Sequence, residues 1–185
     1  MKSKIDKGDL PCWSPDASHI AFKDDKYYLC IHNLKTGETT RLFNSEGMLL
    51  LPGCWSSDGK YVLITIMDRQ SRKSTLWKIS SDGKERKQIT GHHENIYRYL
   101  ALSPDGTLLV YAALEGKYLG FYIMLSEGGV SLPFAISTDG HNEAPVWSPD
   151  GKKIAYSSSR NWNVDVFTMD VDIESFRTKL EIHNR

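Results

Sequence analysis

The chain has 185 residues, and its 23 basic and 23 acidic side chains cancel, so it lacks the broad charge that draws a protein to nucleic acid or anionic lipid. That length buries a core large enough to fold without disulfide staples, and three cysteines (Cys12, Cys30 and Cys54) with no Cys-x-x-Cys spacing suggest neither a disulfide framework nor a zinc site. No apolar run approaches the ~20 residues of a membrane span, and "MKSKIDKGDL" sets no apolar stretch behind its lysines as a signal peptide does.

In chain order, the first recognisable unit runs over 9–44, where "CWSPDASHIAF" leads to a Gly37 turn and the polar run "TTRLF". A second unit over 46–91 repeats the plan with "CWSSDGKYVLI", the apolar run "STLWKIS", a Gly83 turn and "ERKQIT". A third, over 94–139, has "ALSPDGTLLVY", "GFYIML" and a turn at Gly129. The fourth, over 141–183, holds "EAPVWSPDGKKIAY" and "VDVFTM".

The anchors Trp13, Trp55, Leu102 and Trp147 stand 42, 47 and 45 residues apart, and Gly37, Gly83 and Gly129 keep step at 46. Two markers on one period of this size describe a four-stranded propeller blade. Within each unit the β-branched and aromatic runs are short and bounded by turn residues, as strands are. The sequence therefore predicts an all-β chain: a β-propeller of four four-stranded antiparallel blades in a single domain over 1–185. An open arc, a small ring and a fragment of a larger propeller all remain compatible with four blades.

The turn itself has a physical logic. Proline presets φ at its second position, aspartate suits the third and bonds nearby amides, and glycine takes the last position or a positive φ. The tryptophan before it offers a flat surface for packing between blades that cannot bury their faces alone. Trp13, Asp16, Trp55, Asp58, Asp105, Trp147 and Asp150 are read as this structural repeat, not as catalytic groups. Ala17, Ser57 and Leu102 depart from the pattern at the glycine, proline and tryptophan positions.

These Trp-Ser-Pro-Asp-Gly units resemble the WD-like repeats of TolB-class β-propellers, most fully over "HNEAPVWSPDGKKIAYSSSRNWNVDVFTMDVD" (141–172). The resemblance spans nearly the whole chain. It implies a propeller that binds a protein partner, and it implies the bacterial periplasm. A cytoplasmic location would follow if the N-terminus as written is the native start. Similar blades precede the hydrolase domain of prolyl-oligopeptidase-like peptidases, so the repeat identifies a fold more than an activity.

Enzyme signatures are few. There is no Gly-x-Ser-x-Gly elbow, no Walker loop and no dinucleotide fingerprint. "DVDIES" alternates Asp170, Asp172 and Glu174 but lacks the glycine and closing glutamate of a calcium loop. No cofactor or metal is expected.

Candidate contacts come from the crossovers between blades. His141, Asn142 and Glu143 are expected to meet Tyr97 and Arg98 of the third unit around a polar opening. Arg160 is expected to pair with Asp165 across a hairpin whose loop carries Trp162, an aromatic suited to an interface. The basic cluster "DRQSRKS" (68–74) reads as a solvated loop with no recognition helix to support nucleic-acid binding.

The favoured reading is a non-catalytic module that engages a protein or peptide. It neither enters a membrane nor binds nucleic acid, and exposed end blades would promote pairing of copies. The alternative is a propeller attached to an enzyme, either a peptidase gating domain or a channel for metal-assisted chemistry. One segment is divided. In "DIESFRTKLEI", Ile173, Phe176 and Leu180 have helical spacing while Phe176, Thr178, Leu180 and Ile182 alternate, and position in the repeat favours a strand.

Overall fold

A computed structural model describes residues 5, 7–90, 98–160 and 163–184. The chain divides into two compact units, 1–91 and 92–185. The first holds β1 (Gly8–Trp13), β2 (His19–Asp24), β3 (Tyr28–Asn33) and β4 (Thr39–Asn44), then β5 (Leu49–Trp55), β6 (Tyr61–Met67), β7 (Ser74–Ser80) and β8 (Arg86–Gln88). The second holds β9 (Arg98–Leu102), β10 (Leu108–Glu115), β11 (Tyr118–Leu125) and β12 (Ser131–Ala135), then β13 (Asn142–Trp147), β14 (Lys153–Ser158), β15 (Asp165–Asp170) and the helix α1 (Ile173–His183). Every sheet is an antiparallel meander with its strands in chain order, and each is one propeller blade.

The expected repeat turn is present four times, with serine as its hub. Ser14, Ser56, Ser103 and Ser148 each donate from Oγ to the aspartate two residues on, at 2.5–2.7 Å. Each also accepts the amide five residues on, at 2.9 Å. The serine hydroxyl, the first cause in each case, holds the carboxyls of Asp16, Asp58 and Asp150 below the usual carboxylate range. Blade two uses the same device again in its β7–β8 turn, where Ser80 donates to Asp82 and depresses that carboxyl to about 2.

Gly59, Gly106 and Gly151 close their turns at φ of 70, 75 and 71°, and Ala17 is forced to 56° at the same place. A Cβ in that region crowds the following carbonyl, so Ala17→Gly is expected to raise stability by about 0.5–1 kcal/mol, read as an increased urea midpoint.

Each inner strand, β1, β5, β9 and β13, carries one extra residue against its neighbour. In three of them the bulge puts a non-glycine residue at positive φ three positions before the anchor: Leu10 (55°), Tyr99 (52°) and Ala144 (50°). Pro52 occupies the matching position of β5, where its ring bars a positive φ.

The anchors pack between blades. In the first unit Trp55 lies in a core with Ala21, Leu29, Ile31, Val62 and Ile64, and its Nε1–H donates to the Cys12 carbonyl at 3.2 Å. In the second, Trp147 packs with Leu108, Val110, Phe121 and Ile154, and its Nε1–H donates to the Ala101 carbonyl at 3.0 Å. Trp13 departs from expectation: 61% of it is exposed, against 7% of Trp55 and 9% of Trp147. No disulfide joins Cys12, Cys30 and Cys54, and burial pushes the Cys12 thiol up to about 12.

The end of the fourth blade corrects the sequence reading, for a helix stands where a fourth strand was expected. Asp172 caps it by accepting the Ser175 amide at 3.0 Å, Glu174 lies in its first turn and His183 in its last. Ile173, Phe176 and Leu180 share its inward face. Leu180 is fully buried, and Phe176 meets Phe134 edge to face at 5.2 Å. At the far end Asn184 accepts the Val130 amide at 2.7 Å, tying the helix to the turn before β12. Helical spacing prevailed because capping and three apolar contacts outweigh the bonds of a single edge strand.

Candidate functional site

The second unit gathers most of the predicted contact residues at one end of its last blade. Asn142 and Glu143 open β13, opposite Ser158 and Ser157 of β14. Asn142 is buried and its Nδ2 donates to the Ala135 carbonyl at 3.2 Å. His141 sits just before the strand, held twice. Its amide donates to Ser159 Oγ at 2.9 Å, and its Nδ1 accepts the Leu119 amide at 3.1 Å, which leaves the ring proton on Nε2. Tyr118 packs its ring edge to face with the imidazole at 5.7 Å.

Glu143 faces a neighbour the sequence reading passed over. Tyr99, the bulge residue of β9, directs its hydroxyl to Glu143 Oε1 at 3.5 Å, and Arg98 precedes it on the exposed start of that strand. Partial burial of the ring, with Glu143 second, raises the Tyr99 phenol above its ordinary value. The one-residue bulge explains the oversight, because it shifts the alternation that would otherwise assign side chains to faces. Tyr97 and Trp162 lie outside the described residues.

Arg160 joins the group by a different route from the one expected. Its Nε lies 3.5 Å from Asp139 Oδ1, so the ion pair runs to the loop before β13 and not to Asp165 on β15. Gly140 lets this happen, since a Cβ there would come within 2.8 Å of the Arg160 amide. The guanidinium also lies over the Phe167 ring at 5.7 Å. In the same unit Ser137 Oγ, Asn142 Oδ1 and Ser158 Oγ are buried and find no hydrogen-bond partner in the protein, while Arg160 Nε makes its ion pair to Asp139 but no hydrogen bond. Unspent bonding capacity of this kind, costly when desolvated, is concentrated here among the described residues.

The arrangement displays a cation (Arg98) and a phenol and carboxylate pair (Tyr99 and Glu143) at strand starts, with a neutral imidazole held by two hydrogen bonds just before β13. It suits recognition by hydrogen bonds and charge. Among the described residues no three His, Cys, Asp or Glu side chains converge as metal ligands do.

A second concavity lies between the two blades of the first unit, a cleft of roughly 470 Å³ bordered by Asp16, Asp58, Asp82, His19 and Trp55. Its three aspartates are already engaged by serine hydroxyls within their own turns.

Comparison with known proteins follows the same lines. An uncharacterized protein of Agrobacterium fabrum is 26% identical over 173 residues, and the match covers 89% of this chain and 55% of that one. TolB from Acinetobacter baumannii superposes with a TM-score of 0.76 at 23% identity, covering 93% of this chain and 43% of its own. An oligogalacturonate lyase in complex with manganese superposes at 0.71 and 16%, covering 90% and 49%. The chain thus spans about half the length of the relatives it matches, and at these identities the superpositions establish the fold alone. The model of the TolB beta propeller domain matches residues 10–178, which with the repeated turns and the anchor tryptophans shows that the chain belongs to the TolB β-propeller family.

Proposed function

We propose that the chain is a non-catalytic binding module that takes a protein or peptide segment at the end of blade four. The observation that carries this reading is the display of Arg98, Tyr99 and Glu143 at strand starts with His141 just before β13, in a unit where the buried Ser137, Asn142 and Ser158 oxygens have no hydrogen-bond partner in the protein. Short polar and aromatic groups fixed in this way lose little freedom on binding, so their interactions count toward affinity. The family likeness supports a protein partner, and the resemblance to TolB-class repeats implies the bacterial periplasm. No described helix is long and apolar enough to cross a membrane.

The test is selection of peptides on the purified chain from a displayed library, followed by titration against Arg98→Ala and Glu143→Ala, singly and together. We expect the double variant to lose at least about tenfold in affinity, the effect of roughly 1.4 kcal/mol. Selected peptides that bind the double variant as tightly as the parent would place recognition elsewhere. Hydrolysis of the selected peptides by the pure chain would overturn the non-catalytic reading.

A further inference from the structure

Each unit pairs two neighbouring blades, and the repeat matches the groove beside the turns of one pair to that of the other. By strand register Ile31 corresponds to Ile123, Thr40 to Leu132, and Leu42 to Phe134, the last two being the bulge residues of β4 and β12. His19 and Asn33 correspond in the same way to Leu108 and Leu125. In the second unit α1 fills this groove. A Cβ added to Gly151 would stand 2.8 Å from Ile173 and 3.7 Å from Pro104. Phe176 meets the Phe134 ring, Leu180 is fully buried, and the Arg177 charge acts on the Asp105 carboxyl. At the far end the Asn184 side chain lies against Gly129 and bonds the Val130 amide.

The first unit leaves the matching groove open. Gly59 faces Pro15 as Gly151 faces Pro104, but an added Cβ would meet only the proline, at 3.9 Å. Gly37, the counterpart of Gly129, has nothing within 4 Å of such a Cβ. The two units part at one residue. Asp172 caps α1, whereas Asp82 in the corresponding place bonds Ser80 in a tight turn that sends the chain back as β8. What remains is the cleft of roughly 470 Å³, a size at which clefts hold ligands.

Its lining states what it would hold. Ile31, Leu42 and Trp55 keep apolar surface in the cleft. Around them the residues that receive α1 are exchanged for polar ones: His19 for Leu108, Asn33 for Leu125, Glu38 for Val130 and Thr40 for Leu132. Asp16, Glu38, Asp58 and Asp82 border the cleft, and among the described residues no lysine or arginine lines it. Lys60 and Lys84 pair with Asp58 and Asp82 at 3.5 and 3.2 Å, while Asp16 and Glu38 meet no such cation among the described residues.

We propose that this cleft is a second recognition site, which takes a short amphipathic helix of a partner protein, seated as α1 is seated in the second unit and carrying a lysine or arginine where α1 carries Leu180. The anchors of α1 fall at Ile173, Phe176 and Leu180, the spacing by which helices occupy grooves. Leu180 stands one turn before the residue that bonds Val130, so a cation in its place lies near Glu38, and opposite charges fix the register. The site is separate from the one at the end of blade four and does not rest on it.

The experiment is titration of the isotope-labelled whole chain with a synthetic peptide of residues 172–184 carrying Leu180→Arg, read from backbone amide shifts. The peptide keeps the Asp172 cap and the Ile173 and Phe176 anchors. We expect saturable shifts at Asn33, Glu38, Thr40 and Gly59, and none at Gly129 or Val130. The unaltered 172–184 peptide should bind at least about tenfold more weakly, as should the arginine peptide to a Glu38→Lys chain. Glu38 is exposed, and Thr40→Trp, which fills the cleft from a second exposed position, should abolish the shifts. An unchanged amide spectrum away from the cleft shows that each variant is folded. Absence of saturable shifts with the arginine peptide would overturn the proposal. So would equal affinity for the two peptides, or binding that survives both Glu38→Lys and Thr40→Trp. Shifts at Gly129 and Val130 would also overturn it, since the peptide would then be displacing α1 from its own groove.

Discussion

Trp147→Ala is expected to lower the unfolding free energy by about 3–5 kcal/mol, while Trp13→Ala changes it by less than about 0.5 kcal/mol. The two residues hold equivalent places in the repeat, so motif alone would give them equal weight. Their surroundings differ. Trp147 is 9% exposed among Leu108, Val110, Phe121 and Ile154, and its removal opens a cavity and strips the Ala101 carbonyl of its donor. Trp13 has 61% of its surface in solvent, so little is lost within the chain when it is truncated. Urea unfolding decides the matter, at dilution sufficient that association adds nothing to stability. Equal losses at the two positions would refute the assignment of the anchor's role to burial between blades.

The second large effect is expected at Leu180. Leu180→Ala should cost about 2–5 kcal/mol, whereas Ile182→Ala, at a residue 63% exposed, should cost less than about 0.5. An alternating strand would put both residues on one face and make the two changes comparable. The helix separates them, and Asp172→Ala should add a smaller loss of about 1 kcal/mol through the missing cap. Thermal or urea midpoints of the three variants check the ordering. Similar costs at 180 and 182 would contradict the helix.

These contrasts show which parts of the molecule the sequence carries openly. Turn residues and β-branched runs act locally, so the four blades and their order were legible from Trp-Ser-Pro-Asp-Gly units and the Gly37, Gly83 and Gly129 spacing. The tail was not, because 173–182 satisfies both periods and only tertiary contacts with Phe134 and the core around Phe121 choose between them. The hub role of Ser14, Ser56, Ser103 and Ser148 was also missed, although a hydroxyl two residues before an aspartate is a recurrent turn device.

At the candidate site His141, Asn142, Glu143 and Arg98 were legible from their place at a crossover. Tyr99 was not, since a bulge defeats simple alternation. The partner of Arg160 was misread for a related reason. Asp165 lies at the start of β15 opposite Ser158, while the glycine at 140 brings the loop with Asp139 against the arginine.

The strictly sequential strand order has a consequence for how such a chain grows. Among the described residues no blade borrows a strand from a distant segment, so each sheet's hydrogen bonds are written in a contiguous stretch of under fifty residues or so. Copying one stretch inserts a finished sheet whose only new demand is a neighbour for each of its two sides. A lineage built this way can lengthen or shorten by whole modules without redesigning any hairpin, and kinship between members is then carried by the shape of the seam.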